Sequence, residues 1–292
     1  MSLMDTELHG QPASWRRAAE LAVEMRGRLP APGIRLAITG CGTSYYIASA
    51  AAWLREAGGG GETDAFPASQ MLRVRPYEAI LVISRSGTTT EVLRVAEEAG
   101  RSRPVVAITA VKESPLAELA AAVIVLDFAD EQSVVQTRFA TSALAMLRAH
   151  GGEDVSVLAD QASRALGSRL PKGLEDVDQF VFLGDGAGAA LASEAALKLR
   201  ETAQAWSEAY PSLEFRHGPI AVAGPRSCVW ALNRLGPELR ADIASTGAMI
   251  VDEATDPMVE LVRVQRAASA LAGWRNLDPD HPRHLNRSVV LS

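Results

Sequence analysis

Cysteine is nearly absent: Cys41 and Cys228 are the two in 292 residues, far apart and in no Cys-x-x-Cys or other metal-ligand spacing. That excludes a disulfide framework and a cysteine-based metal centre, and it makes a reducing, cytoplasmic setting the expectation. Excess positive charge is missing as well. Lysine plus arginine number 29 against 35 aspartate plus glutamate, a formal net charge of -6, and no basic block could follow a nucleic-acid backbone or an anionic membrane surface. No apolar run approaches the roughly eighteen residues that span a bilayer, and the opening MSLMDTELHG is too polar for a signal-peptide core. Neither nucleic acid nor membrane is therefore an expected partner. What is present is apolar content, 48% of the chain, sufficient for about two domains of ordinary size.

Short apolar runs alternate with alanine-rich helical stretches: IRLAITG then SYYIASAAAWLREAG, EAILVIS then TTEVLRVAEEAG, PVVAITA then PLAELA, and finally AVIVLDF. Runs that are apolar nearly throughout belong to strands buried on both faces, so the alternation predicts a parallel sheet covered by helices. The pattern lapses near 151–172 and restarts at DQFVFLGDGAGAALASEAALKLRE, which places a domain boundary there. The restart also repeats the first start. ITGCGTSYYIASAAAWLRE and FLGDGAGAALASEAALKLR align at Gly40/Gly184, Gly42/Gly186, Ala48/Ala192, Ser49/Ser193, Ala51/Ala195 and Ala52/Ala196, the mark of a tandem duplication or of convergent packing in two strand-turn-helix units. The expected class is α/β with two tandem doubly wound, flavodoxin-like parallel sheets, each a three-layer α/β/α arrangement. The expected boundaries are a leading helix with the first domain over 1–152, a second domain over 153–276 and a tail over 277–292.

The two copies differ in their hydroxyls. Thr43 and Ser44 face Ala187 and Gly188, and SRSGT at 84–88 faces NRLGP at 233–237. In the first copy Ser84, Ser86, Thr88, Thr89 and Thr90 surround Gly87 between a strand and a helix, where free backbone N–H groups, hydroxyl donors and a helix dipole converge: an anion site, or several hydroxyls doing a helix cap's work. GCGTSY lacks the third glycine of a dinucleotide fingerprint, and a Walker lysine is missing, so a nucleotide is not the expected ligand. Further on, Glu194, Lys198 and Glu201 lie at helical spacings of four and three, which suits either a shared functional face or a solvated, salt-bridged one.

Six motifs in order, CGTS at 41–44, SRSGTT at 84–89, DEQSVVQTRFAT at 130–141, EAALKLRE at 194–201, EAYPSLEFRHGP at 208–219 and DHPRHLNRSVVLS at 280–292, resemble the tandem sugar isomerase (SIS) domain family. That family includes the isomerase half of glucosamine-6-phosphate synthase and relatives that deaminate glucosamine 6-phosphate or isomerise other sugar phosphates. The resemblance implies that Cys41, Gly42, Thr43, Ser44, Ser84, Arg85, Ser86 and Thr89 hold a phosphate and neighbouring sugar hydroxyls, and that the Val134 backbone lines the sugar pocket. It implies that Glu201 moves a proton between C1 and C2 beside Glu194 and Lys198. It implies too that His217 opens the sugar ring, donated across the interface of a homodimer with shared sites. Glutamate and histidine suffice for aldose–ketose chemistry, so no cofactor and no metal is expected.

Three departures from the family pattern bear on function. A glutaminase domain with its catalytic cysteine is not part of this sequence, so it is not expected to draw ammonia from glutamine itself. Arg287 stands where the family usually has a Schiff-base lysine; a guanidinium remains protonated and is no amine nucleophile, though it can bind a hydroxyl or carboxylate. The segment after His217 is short, which predicts a trimmed sheet or a lost helix in the second domain. The expected activity is deamination of an amino-sugar 6-phosphate, glucosamine 6-phosphate to fructose 6-phosphate and ammonia. The alternatives are isomerisation or deglycation of another sugar phosphate, such as an amine-conjugated fructose 6-phosphate, and phosphosugar binding without catalysis.

Overall fold

The structure, a computed structural model, describes residues 2–71 and 75–291. Two compact units make up the chain, each from two segments: Gly10–Ala159 with Asn286–Ser292, and Met1–His9 with Asp160–Leu285. The opening helix α1 (Leu3–Glu24) contributes residues to both. Where the sequence pattern drew boundaries at 152/153 and 276/277, the compact units change over at 159/160 and 285/286 and exchange the chain ends.

The first unit holds β1 (Leu36–Gly40), β2 (Thr63–Pro67), β3 (Ala79–Ile83), β4 (Val105–Thr109) and β5 (Ala122–Val125), all parallel, in the order β2-β1-β3-β4-β5. Parallel neighbours require crossovers, which α2 (Thr43–Ala57), α3 (Thr90–Gly100) and α4 (Pro115–Leu119) provide, and α5 (Arg138–His150) follows β5. The central strands β1, β3 and β4 are buried at every position, which explains their unbroken apolar runs, while the edge strands are partly open. Alternate residues face opposite ways. Ala37, Ile80, Val82 and Ala107 pack with Val92 and Ala96 of α3 and Leu116 of α4. Leu36, Ile38 and Leu81 instead line a cavity of about 300 Å³ with Ala51 and Leu54 of α2 and Leu144 and Leu147 of α5. Helices thus cover both faces, and the strand order reverses between β1 and β3, the switch point at which ligands of such sheets bind. Trp15 of α1 is fully buried here, donating its indole N–H to Thr141 Oγ1 at 2.9 Å, and the Thr141 hydroxyl donates to Gln11 Oε1 at 2.6 Å.

The second unit, entered through α6 (Val155–Gly167), repeats the plan with β6 (Gln179–Gly184), β7 (Trp206–Pro211), β8 (Ser227–Ala231) and β9 (Met249–Asp252) in the parallel order β7-β6-β8-β9. Here α7 (Ala187–Ala203) packs against α9 (Pro257–Trp274), and α8 (Pro237–Ser245) sets Leu239 and Ile243 on Val181, Leu183 and Val229. Among the described residues this sheet lacks a fifth strand. The chain leaves β9 at Asp252 and reaches Asp256, whose carboxylate caps α9 by accepting the Met258 N–H at 2.9 Å. The shortening is therefore the loss of a strand together with the helix before it.

The two glycine turns are alike in dihedral angle as well as in sequence. Gly42, ahead of α2, has φ 53 and ψ -125; Gly186, ahead of α7, has φ 57 and ψ -126. A side chain is excluded from that conformation. At the strand ends, a Cβ on Gly40 would lie 2.7 Å from Ser44 Cβ, and one on Gly184 would overlap the Gly188 carbonyl. The fold is α/β with two tandem doubly wound parallel sheets, one of five strands and one of four. Among the described residues, no helix is long and apolar enough to cross a membrane.

Candidate active site

At the switch point of the first unit, Cys41 to Ser44 follow β1 and Ser84 to Thr90 follow β3. The turn after β1 is tied by Ser44 N–H to the Cys41 carbonyl at 3.1 Å, and Thr43 and Ser44 are buried beneath it. Cys41 is half-buried; burial, with the Glu91 charge nearby, pushes its thiol up to about 11, so it stays protonated at neutral pH. Gly87 turns the second loop with φ 65, and a Cβ there would strike Ser114 Oγ, which caps α4. The loop hydroxyls are not used as caps of α3: Thr89 occupies the cap position with no side-chain hydrogen bond to the helix. Ser84 Oγ accepts the Gly87 N–H at 3.3 Å, and Ser86 Oγ accepts from Thr88 N–H at 3.2 Å and from the Thr88 hydroxyl at 2.9 Å. A loop whose hydroxyls face one another rather than the helix end is available to an acceptor-rich group.

Arg85 points elsewhere. It is 1% exposed, and its guanidinium donates to the carbonyls of Ser133 at 2.9 Å, Val134 at 3.0 Å and Arg287 at 3.3 Å, with Glu131 Oε2 3.8 Å away. Glu131 in turn accepts the backbone N–H groups of Thr137, Arg138 and Phe139 at 2.7, 2.7 and 3.2 Å, placing a carboxylate at the start of α5. Arg85, expected beside the anion cradle, donates to carbonyls of two other chain segments, and the Val134 carbonyl expected in the sugar pocket is among its acceptors. Arg287 is similarly engaged, donating to the Glu131 carbonyl and to Asp130 Oδ1. Asp130, Glu131 and the tail contacts beyond Arg287 carried no individual assignment from sequence. Their contacts with Arg85, with Arg287 and with the loop lie about 45 to 200 positions apart in the chain, at no period that a pattern could reveal.

In the second unit α7 brings Glu194, Lys198 and Glu201 into one row. Lys198 Nζ lies 2.5 Å from Glu201 Oε2 and 3.4 Å from Glu194 Oε1. The side chains of Lys198 and Glu194 are 0% and 1% exposed and that of Glu201 is 18% exposed, which rules out a solvated surface ladder. Burial alone would pull the Lys198 ammonium down; the two carboxylates outweigh it and the net shift is upward. The row is a buried charged string that reaches solvent at Glu201. His217 lies after the helical turn Leu213–Arg216, anchored by its N–H to the Glu214 carbonyl at 3.0 Å and followed by Gly218 at φ 130 and Pro219. Its ring is exposed, and no hydrogen bond joins it to Glu201 among the described residues. Among those residues no three His, Cys, Asp or Glu side chains gather as a metal-binding set.

Comparison with known proteins fits this geometry. The SIS domain family matches residues 32–150. Isomerizing glutamine–fructose-6-phosphate aminotransferases are similar along 98% of this chain: that of Methanothermobacter thermautotrophicus is 26% identical and that of Pseudomonas aeruginosa 28% identical, with 57% and 58% of those proteins covered. The chain thus spans little more than half the length of these curated relatives. Glucosamine-6-phosphate deaminase from Thermotoga maritima has the same fold at a TM-score of 0.84 and 26% identity, over 99% of this chain and 100% of that one. Tagatose-6-phosphate ketose/aldose isomerase from Escherichia coli, at 0.79 and 20% identity over 97% of both chains, shares the fold. Residues 32–150 of this chain match the SIS domain, and the whole chain resembles glutamine–fructose-6-phosphate aminotransferases in sequence and a glucosamine-6-phosphate deaminase in sequence and fold.

Proposed function

We propose that this protein is a phosphosugar aldose–ketose isomerase acting on an amino-sugar 6-phosphate, converting glucosamine 6-phosphate and water to fructose 6-phosphate and ammonia. The observation that carries the reading is the α7 row: Lys198 fixes one oxygen of Glu201 at 2.5 Å and leaves the other for substrate at the only solvent-reaching end of the row. An oriented carboxylate of this kind can serve two adjacent carbons, as an enediol-type proton transfer requires. The hydroxyl loop Ser84–Thr90 supports a phosphoryl ligand, and the likeness to a deaminase over whole chains supports the amino sugar.

In this reading His217 transfers the proton that opens the ring. Glu201 takes the C2 proton of the open-chain aldose and returns it to C1, so that the C2 amine becomes a ketimine. Water then adds at C2 and the C–N bond breaks, releasing ammonia and the ketose. Every step is a proton transfer or a hydrolysis, so electrons balance within the substrate. The exposed His217 suits donation to the site of a second copy, and a homodimer with shared sites is part of the proposal.

Incubation of purified protein with glucosamine 6-phosphate, followed by assays of ammonia and fructose 6-phosphate, tests the activity against a Glu201→Gln control, which should lose about 10²- to 10⁴-fold in kcat. Equal release by both proteins would reject it. Turnover of amine-conjugated fructose 6-phosphate alone would redirect the reading to a deglycase. Mixing Glu201→Gln with His217→Ala protein should recover part of the activity if sites are shared; no recovery would reject the sharing.

A further inference from the structure

Within the first unit the C-terminal segment lies along the hydroxyl loop. Arg287 is fastened to Asp130 and Glu131, its carbonyl accepts from Arg85 at 3.3 Å, the Val289 carbonyl accepts the Thr90 N–H at 3.3 Å, and the Leu291 N–H donates to Thr90 Oγ1 at 2.9 Å. Between these backbone attachments one side chain turns into the loop. Ser288 Oγ is 2.8 Å from Thr88 Oγ1 and 3.2 Å from Ser86 Oγ, closing a triangle whose third side, Thr88 to Ser86, is 2.9 Å.

The chemistry of the group presented matters. A carbonyl or carboxylate at this corner would face an incoming anion with fixed negative charge. A hydroxyl has one proton and two lone pairs and turns freely. The three hydroxyls satisfy one another in the loop, and when an anion arrives each can rotate its proton outward as a donor. The tail uses the first N–H of α3 through Val289, so what it returns to the loop is the Ser288 donor.

We propose that Ser288 joins Ser86 and Thr88 as a hydroxyl of the phosphoryl site, so that docking of the C-terminal segment and binding of a phosphoryl group strengthen each other. The proposal rests on the reading of Ser84–Thr90 as the anion loop and adds a binding residue to it. Because linkage is reciprocal, an anion that engages Ser288 must also hold the tail down by the same factor. Recognition of a phosphate ester would then order the segment, and a sugar lacking the phosphate would not.

The test uses the full chain with inorganic phosphate as probe, titrated by calorimetry against wild type, Ser288→Ala, Ser288→Thr and Ser86→Ala, with carboxypeptidase trimming of the tail followed by mass spectrometry in parallel. Expected are a Kd about 3- to 10-fold weaker for Ser288→Ala, recovery in Ser288→Thr, and a tail that phosphate protects from trimming in wild type and not in Ser288→Ala. An unchanged or tighter Kd in Ser288→Ala, together with weakening in Ser86→Ala, would overturn the role of Ser288 and leave the loop as the anion site; the tighter result would make the tail a competitor. No difference between wild type and Ser86→Ala, or no binding by wild type, would overturn the loop reading and the proposal together.

Discussion

The two switch points share the backbone of their first glycine turn and are filled in opposite ways. Both strands end in a glycine pressed against the following helix, and both helices start after a glycine near φ 55 and ψ -125. After β1 and β3 the crevice is walled by Ser44, Ser84, Ser86 and Thr88. After β6 and β8 the corresponding space is taken by Asn233, whose Oδ1 accepts the Asp185 N–H at 2.8 Å and would collide with any Cβ at Gly188. An amide carbonyl thus meets the turn that in the first copy is followed by the hydroxyls of Thr43 and Ser44. At the first turn the difference lies in side chains, whereas at the second the backbone changes too, Gly87 at φ 65 facing Gly236 at φ -63, and the second copy instead develops the buried row on α7.

The largest break in the comparison is expected at the buried cation of each unit. Lys198→Met leaves Glu194 and Glu201 facing each other in the interior, and Arg85→Met strips the charge beside Glu131; each should cost about 3–5 kcal/mol in denaturant unfolding. A loss under 1 kcal/mol in either would mean that water reaches the group and screens its charge. A smaller and more pointed effect is expected from giving the second switch point the residue of the first. Gly188→Ser should cost about 1–3 kcal/mol through the collision with Asn233, and Gly188→Ser with Asn233→Ser should recover most of it. Failure of the double variant to recover would locate the strain in the backbone rather than in the amide. Smaller still, Thr88→Val should weaken inorganic phosphate binding up to about tenfold, near 1.4 kcal/mol, while Leu235→Ser in the second loop should add no binding.

Much of this was legible beforehand because it depends on local pattern. Unbroken apolar runs announce strands covered on both faces, the glycine pairs announce the duplicated turns, and the short stretch after His217 announces a trimmed sheet or a lost helix. The direction of Arg85 was not legible. Its neighbours in SRSGT suggest an anion, whereas its acceptors are carbonyls of residues 133, 134 and 287, brought to it by the connection before α5 and by the tail. Ser288 was hidden for the same reason: its meaning lies in Ser86 and Thr88, some two hundred residues earlier. The spacing of Glu194, Lys198 and Glu201 fitted an exposed ladder equally well until α9 packed on α7 and closed off all but the last member. Which residues belong to which compact unit was also invisible, since the exchange of chain ends leaves no composition signature.

The smallest effect expected concerns pH, and it belongs to the buried row of the second unit. The folded-state pKa of Lys198 lies above the ordinary lysine value of 10.5 because two carboxylates outweigh its burial. A raised pKa means that the folded protein keeps the proton longer than the unfolded chain, so the contribution to stability is complete below about pH 10.5 and falls as pH climbs from there through the folded value. Lys198 should therefore add no slope to stability between pH 6 and 9, and a downward slope only in the alkaline range. Denaturant midpoints of wild type and Lys198→Met across pH 9 to 12 isolate it, because tyrosines, other lysines and the two cysteines titrate alike in both proteins and cancel in the difference. The gap between the two curves should narrow with rising pH. A gap that widens would mean that the ammonium is less basic in the folded chain than in the unfolded one, and that Glu194 and Glu201 do not hold it charged.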